Sequence, residues 1–329
     1  MASKTTWRHL PIDEQRRIAN LYREGNNLAD VAASYEWSPA TLARQVRTFI
    51  QYERLFMKEA GERFIVPAMS ERRYTDYIEL ETDDAIIISD LEIPDADPVM
   101  LKLAFMTAVR FGIKTLIING DFLATDQQGL TDWVSVWRET CEVTYENALG
   151  MGVRLIDAFS THFDRVIICQ GNHDDRISRK TNGEVYLGML LKGTEAEYSR
   201  YNYIWLKTSR GYMYVCHPQN YSANSVGLGQ KIYNKLVAPD GTKPHVILGH
   251  THIGGMGKSP DNQRQIVALG TMRDPLRTRY KSTTSNTHWE WEQGFAMVRR
   301  GYITSLSRND TDWETLLEGI YRPQLEKAS

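Results

Sequence analysis

Beyond residue 80 the chain alternates short apolar runs with longer amphipathic stretches. Each run is rich in β-branched side chains, which is typical of strands buried on both faces. The stretches at 97–111 and roughly 130–160 have the length and spacing of helices. Such alternation predicts an α/β domain. The predicted strands are AIIIS (85–89), TLIIN (115–119), RVIIC (165–169), YMYVC (212–216), HVILG (245–249) and QIVAL (265–269).

The first 60 residues have a different pattern, in which apolar side chains recur at helical spacing. Residues 13–24 predict a first helix, with Asp13 as its N-cap and Gly25 as its stop. Asn27 is expected to cap a second, short helix over 28–34. The chain therefore starts with a small all-α segment.

A third helix follows a tight turn and opens with Ser38 as N-cap and Pro39 in the first turn. Two short helices joined in this way resemble a helix-turn-helix of the resolvase or phage-repressor kind, which implies DNA binding and a possible homodimer. A three-helix bundle that serves only protein contacts has the same periodicity and stays an alternative. The candidate DNA-binding residues on the outward face of the third helix are Thr41, Arg44, Gln45 and Arg47.

Composition adds limits to this picture. The chain has 39 Lys plus Arg against 41 Asp plus Glu, so a basic surface for nucleic acid must be local. No apolar run is long enough to span a membrane, and the first residues lack the apolar core of a signal peptide. We therefore expect a cytoplasmic location, in the host cytoplasm if a phage encodes the protein, and no membrane partner. The three cysteines form no CxxC pair, which argues against a thiolate zinc site.

Residue types that bind metals follow the predicted strands. Because the carboxyl ends of strands in an open α/β sheet converge on one crevice, residues far apart in sequence can meet there. Carboxylates, imidazoles and an amide suit manganese, magnesium, iron or zinc. A carboxylate such as Asp121 can bridge two ions, and such a pair holds the attacking and leaving oxygens of a phosphoryl displacement. The strand-end residues are Asp90, Glu92, Gly120, Asp121, Gly171, Asn172, His173, Asp174, His217, Gly249, His250, Thr251 and His252.

These motifs, read in order over about residues 84–300, resemble the DxH, GD, GNH(D/E), His and GHxH pattern of the calcineurin-like metallophosphoesterases. The resemblance implies a four-layer α/β/β/α sandwich and two divalent ions, with Mn²⁺ favoured and Mg²⁺, Fe²⁺ or Zn²⁺ as alternatives. It also implies a water nucleophile activated by the ions. The implied ligands are Asp90, Glu92, Asp121 and His252 for metal one, and Asp121, Asn172, His217 and His250 for metal two.

The resemblance assigns His173 and Asp174 as the catalytic residues. His173 would act at the leaving group, and Asp174 would orient the His173 ring. The residue types agree with these roles, because a histidine next to the ligand Asn172 cannot readily bind the same ion but can serve as a general acid. Arg176 is a candidate substrate-phosphate contact, although a surface ion pair is an equal alternative.

Two features depart from the family pattern. Glu92 stands where the family usually has His, and three roles are open for it: a metal ligand, a residue that hydrogen-bonds a water near metal one, or a change that abolishes activity. The GD motif continues as FLATDQQ without the DRG of protein Ser/Thr phosphatases. This second departure points away from protein phosphatases.

The predicted domains are a helix-turn-helix domain (1–60), a linker (61–80), a metallophosphoesterase domain (81–310) and a C-terminal helix and tail (311–329). The basic stretch from Lys258 to Lys281 could form a phosphate-backbone groove, or only a solvated face.

The motifs and the helical segment together favour a dimetal phosphodiesterase that cuts DNA, as in phage or prophage genes for nucleases. The catalytic subunits of double-strand-break repair nucleases also contain GNHD, which supports this interpretation. One alternative is a phosphatase or phosphodiesterase on nucleotides or phosphoproteins. A second, from another class, is a non-catalytic DNA-binding protein whose altered first motif no longer supports turnover.

Overall fold

The structure is a computed structural model of the 329-residue chain. The chain divides into two compact units, Met1–Arg73 and Tyr74–Ser329. The residues that the structure describes are 7, 10–56, 76–125, 143–277 and 291–318.

The first unit contains three helices around a small apolar cluster. Ile18, Ala19, Leu42 and Val46 are buried at its centre, and Trp7 packs edge-on against Phe49. Because each helix contributes only a few apolar side chains, they are stable only when packed together. The helices are α1 (Ile12–Arg23), α2 (Ala29–Ser34) and α3 (Pro39–Phe56).

The predicted cap Ser38 is confirmed, whereas the N-cap position of α2 is Leu28, one residue after the predicted Asn27. The Ser38 hydroxyl accepts the Thr41 N–H at 3.1 Å, and the Asn27 side chain accepts the Ala29 N–H at 3.0 Å. The prediction for Asp13 is wrong, because α1 begins at Ile12 and its N-cap position has no side-chain hydrogen bond. Asp13 instead lies in the first turn, where the negative charge of a carboxylate interacts favourably with the helix dipole.

The second unit is a mixed α/β structure. Each of the six predicted strands is present to within one residue at either end, and the helix predicted at 97–111 is confirmed at 98–111. Of the helix predicted at roughly 130–160, the part after 145 is confirmed, and residues 126–142 lie outside the described chain. The helices are α4 (Pro98–Phe111), α5 (Tyr145–Ser160), α6 (Asn172–Lys180), α7 (Leu187–Leu190), α8 (Ser225–Lys235) and α9 (Trp313–Leu316).

Six further strands went unpredicted because their side chains alternate weakly or lie at sheet edges. One of them, β1, begins at Glu79 and so lies partly in the predicted linker. The strands are β1 (Glu79–Glu81), β2 (Ala85–Ile88), β3 (Thr115–Asn119), β4 (Arg165–Cys169), β5 (Ala196–Ser199), β6 (Tyr203–Thr208), β7 (Gly211–Cys216), β8 (His245–Leu248), β9 (Gly255–Lys258), β10 (Gln265–Ala268), β11 (Gly294–Arg299) and β12 (Tyr302–Ser307).

The strands form two six-stranded sheets. The first has the order β12-β11-β2-β3-β4-β5, and the second has the order β1-β6-β7-β8-β10-β9. Strands β2 to β5 run parallel, as do β7, β8 and β10 in the second sheet. The strands that the sequence predicts are therefore divided between two sheets, three in each.

Side-chain alternation along the central strands separates three apolar layers. Ile86 and Ile88 contact the cluster under α4 and α5, whereas Ile87 between them faces the second sheet. Helix α8 covers the outer face of the second sheet through Leu228 and Tyr233. Since successive residues of a strand point to opposite faces, continuous apolar runs are required here. The result is the predicted sandwich, with two packed sheets flanked by helices.

The described helices include none with both the length and the apolar character that crossing a membrane requires.

His245, the first residue of β8, gives a pH prediction. Its Nδ1 accepts the Gln265 N–H at 3.0 Å. Burial, together with the charges of Arg264 and Lys258, lowers the pKa of His245 to about 4. An unfolded chain binds this proton near its ordinary pKa of about 6.5, so stability is lost as pH falls from 6.5 to 4.

We expect His245→Gln, which cannot be protonated, to show a smaller fall in the free energy of unfolding over this pH range. Denaturant titrations at several pH values measure this. Parallel pH profiles of the variant and the native protein would contradict the assignment.

Candidate metal centre

Side chains of the types that bind metals meet where the carboxyl ends of strands from both sheets come together. Three groups in the described chain hold their ligand atoms within 4.8 Å of one another. Asp121 takes part in two groups, and Glu92 also takes part in two, which is the placement that a pair of neighbouring ions needs. The groups are Asp90 with Glu92 and His252, Asp121 with His217 and His250, and Glu92 with Asp121 and His173.

The group around His217 matches the ligands predicted for metal two. His217 Nε2 lies 3.2 Å from Asp121 Oδ2 and 3.1 Å from Asn172 Oδ1. On the other side of the ring, Nδ1 lies 2.8 Å from the backbone oxygen of Asn119. A histidine that donates one N–H to a carbonyl presents its other nitrogen as a ligand.

The group around Asp90 contains three of the four ligands predicted for metal one, and the fourth, Asp121, belongs to the two other groups. His252 Nε2 lies 3.1 Å from Asp90 Oδ1 and 3.2 Å from Glu92 Oε1. The other oxygen of Asp90 accepts the backbone N–H of His250 at 3.0 Å. The His252 ring packs edge-on against Trp291, with 4.2 Å between ring centroids. These contacts fix both side chains before any ion binds.

Strained backbone accompanies these ligands. Five of them have a positive φ, which is costly for residues with a side chain and is maintained only where the surrounding structure enforces it. The residues are Asp90 (55°), Glu92 (44°), Asp121 (51°), His250 (77°) and His252 (58°).

The glycines of the GD and GNHD motifs permit close approach around the centre. Gly120 has φ of 79°, and a Cβ there would lie 2.4 Å from the His217 ring. A Cβ on Gly171 would lie 2.0 Å from the backbone nitrogen of Asp121. Any side chain at these positions would displace a ligand.

The carboxylates make the centre strongly attractive to cations. Burial alone would raise the pKa of Asp90, but His252 and His217 hold it below its ordinary value. Burial would lower the pKa of His217, yet Asp121 and Asp90 raise it to about 10. The pKa of His252 is likewise raised to about 9, because Asp90 and Glu92 outweigh burial. Divalent ions can take the place of these protons.

Divalent ions fit the residues that are present. Glu92 Oε1 and His252 Nδ1 are buried and make no well-aligned hydrogen bond to the described residues. A buried polar atom in this state is costly, and an ion at Glu92 Oε1 would remove that cost. Oxygen and imidazole donors without thiolates suit manganese, magnesium, iron or zinc.

His173 lies beside both groups. Its Nδ1 is 3.2 Å from Glu92 Oε2, and its Nε2 is 3.9 Å from Asp121 Oδ2. The backbone N–H of His173 donates to Asp121 Oδ1 at 2.8 Å. The ring is mostly buried, with 11% of the side chain exposed.

Asp174 has a different position from the one predicted. Its carboxylate accepts the backbone N–H groups of Gly171, Phe122 and Leu123 at 2.9 to 3.2 Å. Burial raises the pKa of Asp174 to about 6, although these donors oppose the shift. The structure therefore joins two site loops through Asp174 and brings Glu92, rather than Asp174, to the His173 Nδ1. The predicted orienting role of Asp174 is corrected accordingly.

Arg273 lies within the stretch from Lys258 to Lys281, for which the sequence predicts a basic groove or a solvated face. Its side chain is only 1% exposed. Its guanidinium binds Glu92 at 2.5 Å and Asp95 at 2.7 Å. No periodic signal could have revealed this, because the ion pair with Glu92 joins residues 181 positions apart. The groove loses its central charge, and residues 278–281 lie outside the described chain.

The predicted substrate contact lies on α6, and the predicted DNA-binding residues lie on α3. Arg176 is half-buried on α6 and donates to the Thr125 hydroxyl at 3.2 Å. Its contact with a substrate phosphate stays a prediction. On α3, Thr41, Arg44 and Arg47 are exposed and Gln45 is half-buried.

No protein-family model and no curated protein matches the chain. Three solved structures are similar to it at low identity. YfcE, a phosphoesterase from E. coli, has 12% identity and a TM-score of 0.40, over 69% of this chain and 94% of its own. Vps29 from Chaetomium thermophilum has 13% identity and a TM-score of 0.34, over 66% of this chain and 81% of its own. TT1561 of Thermus thermophilus has 10% identity and a TM-score of 0.33, over 68% of this chain and 98% of its own.

The two glycines Gly120 and Gly241 provide a matched test of the close approach to His217. Both have positive φ, but a Cβ on Gly241 meets no atom within 4 Å. An alanine at either position costs about 1 kcal/mol of backbone strain. We expect Gly120→Ala, but not Gly241→Ala, also to weaken Mn²⁺ binding by about tenfold or more, because the added Cβ displaces the His217 ring.

Calorimetric Mn²⁺ titration of both variants, with denaturant unfolding alongside, measures the two effects. Equal Mn²⁺ affinity in Gly120→Ala and Gly241→Ala would contradict the role of Gly120.

Proposed function

We propose that this protein is a calcineurin-like metallophosphoesterase that uses two divalent ions to hydrolyse phosphodiester bonds in DNA. One observation carries the proposal: two buried ligand groups lie side by side, one around His252 and one around His217, with Asp121 and Glu92 each shared by two groups. A lone carboxylate cluster is common on protein surfaces, but paired buried groups with a histidine at their edge fit phosphoryl transfer.

Bound ions would polarise the phosphate oxygens and lower the pKa of water for attack. The side chains of the protein would position the substrate and supply a proton to the leaving oxygen. In hydrolysis, the oxygen of water forms a bond to phosphorus while the bond to the leaving oxygen breaks. The leaving oxygen keeps the electron pair and takes a proton from His173 Nε2, which faces Asp121. The proton released by the attacking water restores the ring.

Support for DNA as the substrate comes from the first unit. The exposed face of α3 presents Thr41, Arg44 and Arg47, and side chains of these types bind phosphates and base edges. The resemblance of GNHD to the motif of repair nucleases points the same way. Arg176 on α6 would contact a substrate phosphate beside the ions.

The first prediction concerns hydrolysis. Incubation of the pure protein with Mn²⁺ and end-labelled single-stranded, duplex and circular DNA should give cleavage products. Asp121→Asn should lower the rate by at least about 10³-fold, because it removes a charged ligand shared by both ions. Gel electrophoresis of the labelled products measures the rate and separates attack at ends from internal attack.

Asp157→Asn is the matched control, because this exposed residue of α5 undergoes the same change away from the centre. Phosphomonoester and phosphodiester dye substrates run alongside. Turnover of a dye without DNA cleavage would move the substrate to a nucleotide or phosphoprotein. Equal DNA cleavage by Asp121→Asn and the native protein would refute the assigned centre.

The second prediction concerns DNA binding. Replacing both Arg44 and Arg47 by alanine should weaken duplex binding and reduce the slope of log K against log salt by about 2, since each phosphate contact contributes roughly 0.9. Fluorescence anisotropy at several salt concentrations measures both quantities.

Arg16→Ala with Arg23→Ala removes the same charge from α1 of the same unit and serves as control. If the two double variants bind DNA alike, the outward face of α3 has no special part in binding.

A further inference from the structure

The position of Glu92 differs from that of an ordinary ligand because its two oxygens have different neighbours. Oε1 lies 3.2 Å from His252 Nε2, within the group predicted to hold metal one. Oε2 lies 3.2 Å from His173 Nδ1 and 2.5 Å from Arg273 Nη1. A single carboxylate therefore spans the ligand group and the histidine beside it.

Arg273 explains why the carboxylate holds this orientation. Its side chain is fully enclosed, and its fork binds Glu92 through one nitrogen and Asp95 through the other. A buried guanidinium is stable only when its charge is paired, and its planar geometry fixes the direction of each partner. The Arg273 backbone oxygen accepts the Gln293 amide at 2.7 Å, which anchors the residue from the other side.

The network continues one step further from the centre. Gln293 also donates to Asp97 at 2.7 Å, and Arg308 binds both Gln293 and Asp97 at 2.5 Å. Asp97 is the N-cap of α4, where it accepts the Val99 N–H. Arg273 thus connects Glu92 to the start of a helix rather than to a loop alone.

The His173 ring has no comparable support from its neighbour in sequence. Both oxygens of Asp174 are occupied by backbone N–H groups. Glu92 Oε2 is the carboxylate oxygen at Nδ1, and this leaves Nε2 as the atom on the side of Asp121.

We propose that Glu92 is a positioning residue for His173, and that Arg273 fixes the Glu92 carboxylate for that purpose. This inference rests on the proposed phosphoesterase function. The Glu92 carboxylate lies 3.2 Å from His173 Nδ1 and so keeps Nε2 on the side of Asp121, toward the leaving oxygen, while Oε1 stays in the group that would hold metal one. Arg273 acts on the substrate only through Glu92.

The test uses the leaving group to separate positioning from a general loss of structure. A nitrophenolate leaves without a proton, whereas an alkoxide such as the sugar oxygen of DNA needs one. Arg273→Lys keeps the charge but loses the fork. We expect it to lower kcat by about 10²-fold for the alkoxide substrate, a typical share for general acid catalysis, and by much less for the nitrophenyl diester.

His173→Ala should show the same dependence on the leaving group, and adding Arg273→Lys to it should cause no further selective loss. Arg165→Lys is the matched control, because Arg165 forms a two-pronged ion pair with Glu197 on the surface. Equal losses on both substrates in Arg273→Lys would overturn the proposal and leave Arg273 a purely structural role.

A second measurement does not depend on turnover. Nitrogen-15 NMR of the His173 ring should show altered Nδ1 resonances in Arg273→Lys and in the near-isosteric Glu92→Gln, but not in Arg165→Lys. Unchanged ring resonances in both variants would overturn the proposal. If the native protein hydrolyses neither substrate while the ring resonances change as expected, the proposed function fails and the positioning contact stands.

Discussion

Three carboxylates, those of Asp90, Glu92 and Asp121, are buried within a few ångströms of one another, and the rest of the centre depends on how their charge is compensated. Isolated buried carboxylates are too costly to keep ionised. Here, imidazole rings and one guanidinium lie against them, and these partners hold the pKa values of all three below the ordinary range even though burial opposes it. Two divalent ions would complete this compensation. The types of the candidate ligands and the negative charge of the three carboxylates therefore both favour binding of divalent ions.

The fold brings these groups together because strands of the two sheets end at the same place. Each carboxylate follows a strand of the first sheet, whereas His217 and the GHTH histidines follow strands of the second. The apolar layer between the sheets fixes their relative position, because Ile87, Ile117 and Ile247 pack there without exposure. The candidate ligand residues directly follow these strands, and five of them have left-handed backbone that the packed sheets enforce. Stability and function are linked through that layer.

The orientation of the Glu92 carboxylate depends on its ion pair with Arg273. A histidine at this position would leave the buried guanidinium facing an imidazole in place of a carboxylate. The ion pair therefore ties Glu92 to a residue of the second half of the chain. It also separates the two oxygens of Glu92, so that one lies against His252 and the other against His173. The contact with His173 was not among the three roles open to Glu92 on the sequence alone.

The sequence by itself determined the central strands, the strand-end residues and the Ser38 helix cap, because these depend on local periodicity and on turn chemistry. It also identified the ligand types, since GD, GNHD and GHTH are short contiguous motifs. Only the tertiary structure decided that the six predicted strands divide between two sheets, that Arg273 is buried, and that Glu92 rather than Asp174 meets His173. These outcomes depend on contacts between residues as many as 181 positions apart, where neither propensity nor spacing leaves a signal. A charged residue in a polar stretch is expected at the surface until the fold supplies the partner that buries it.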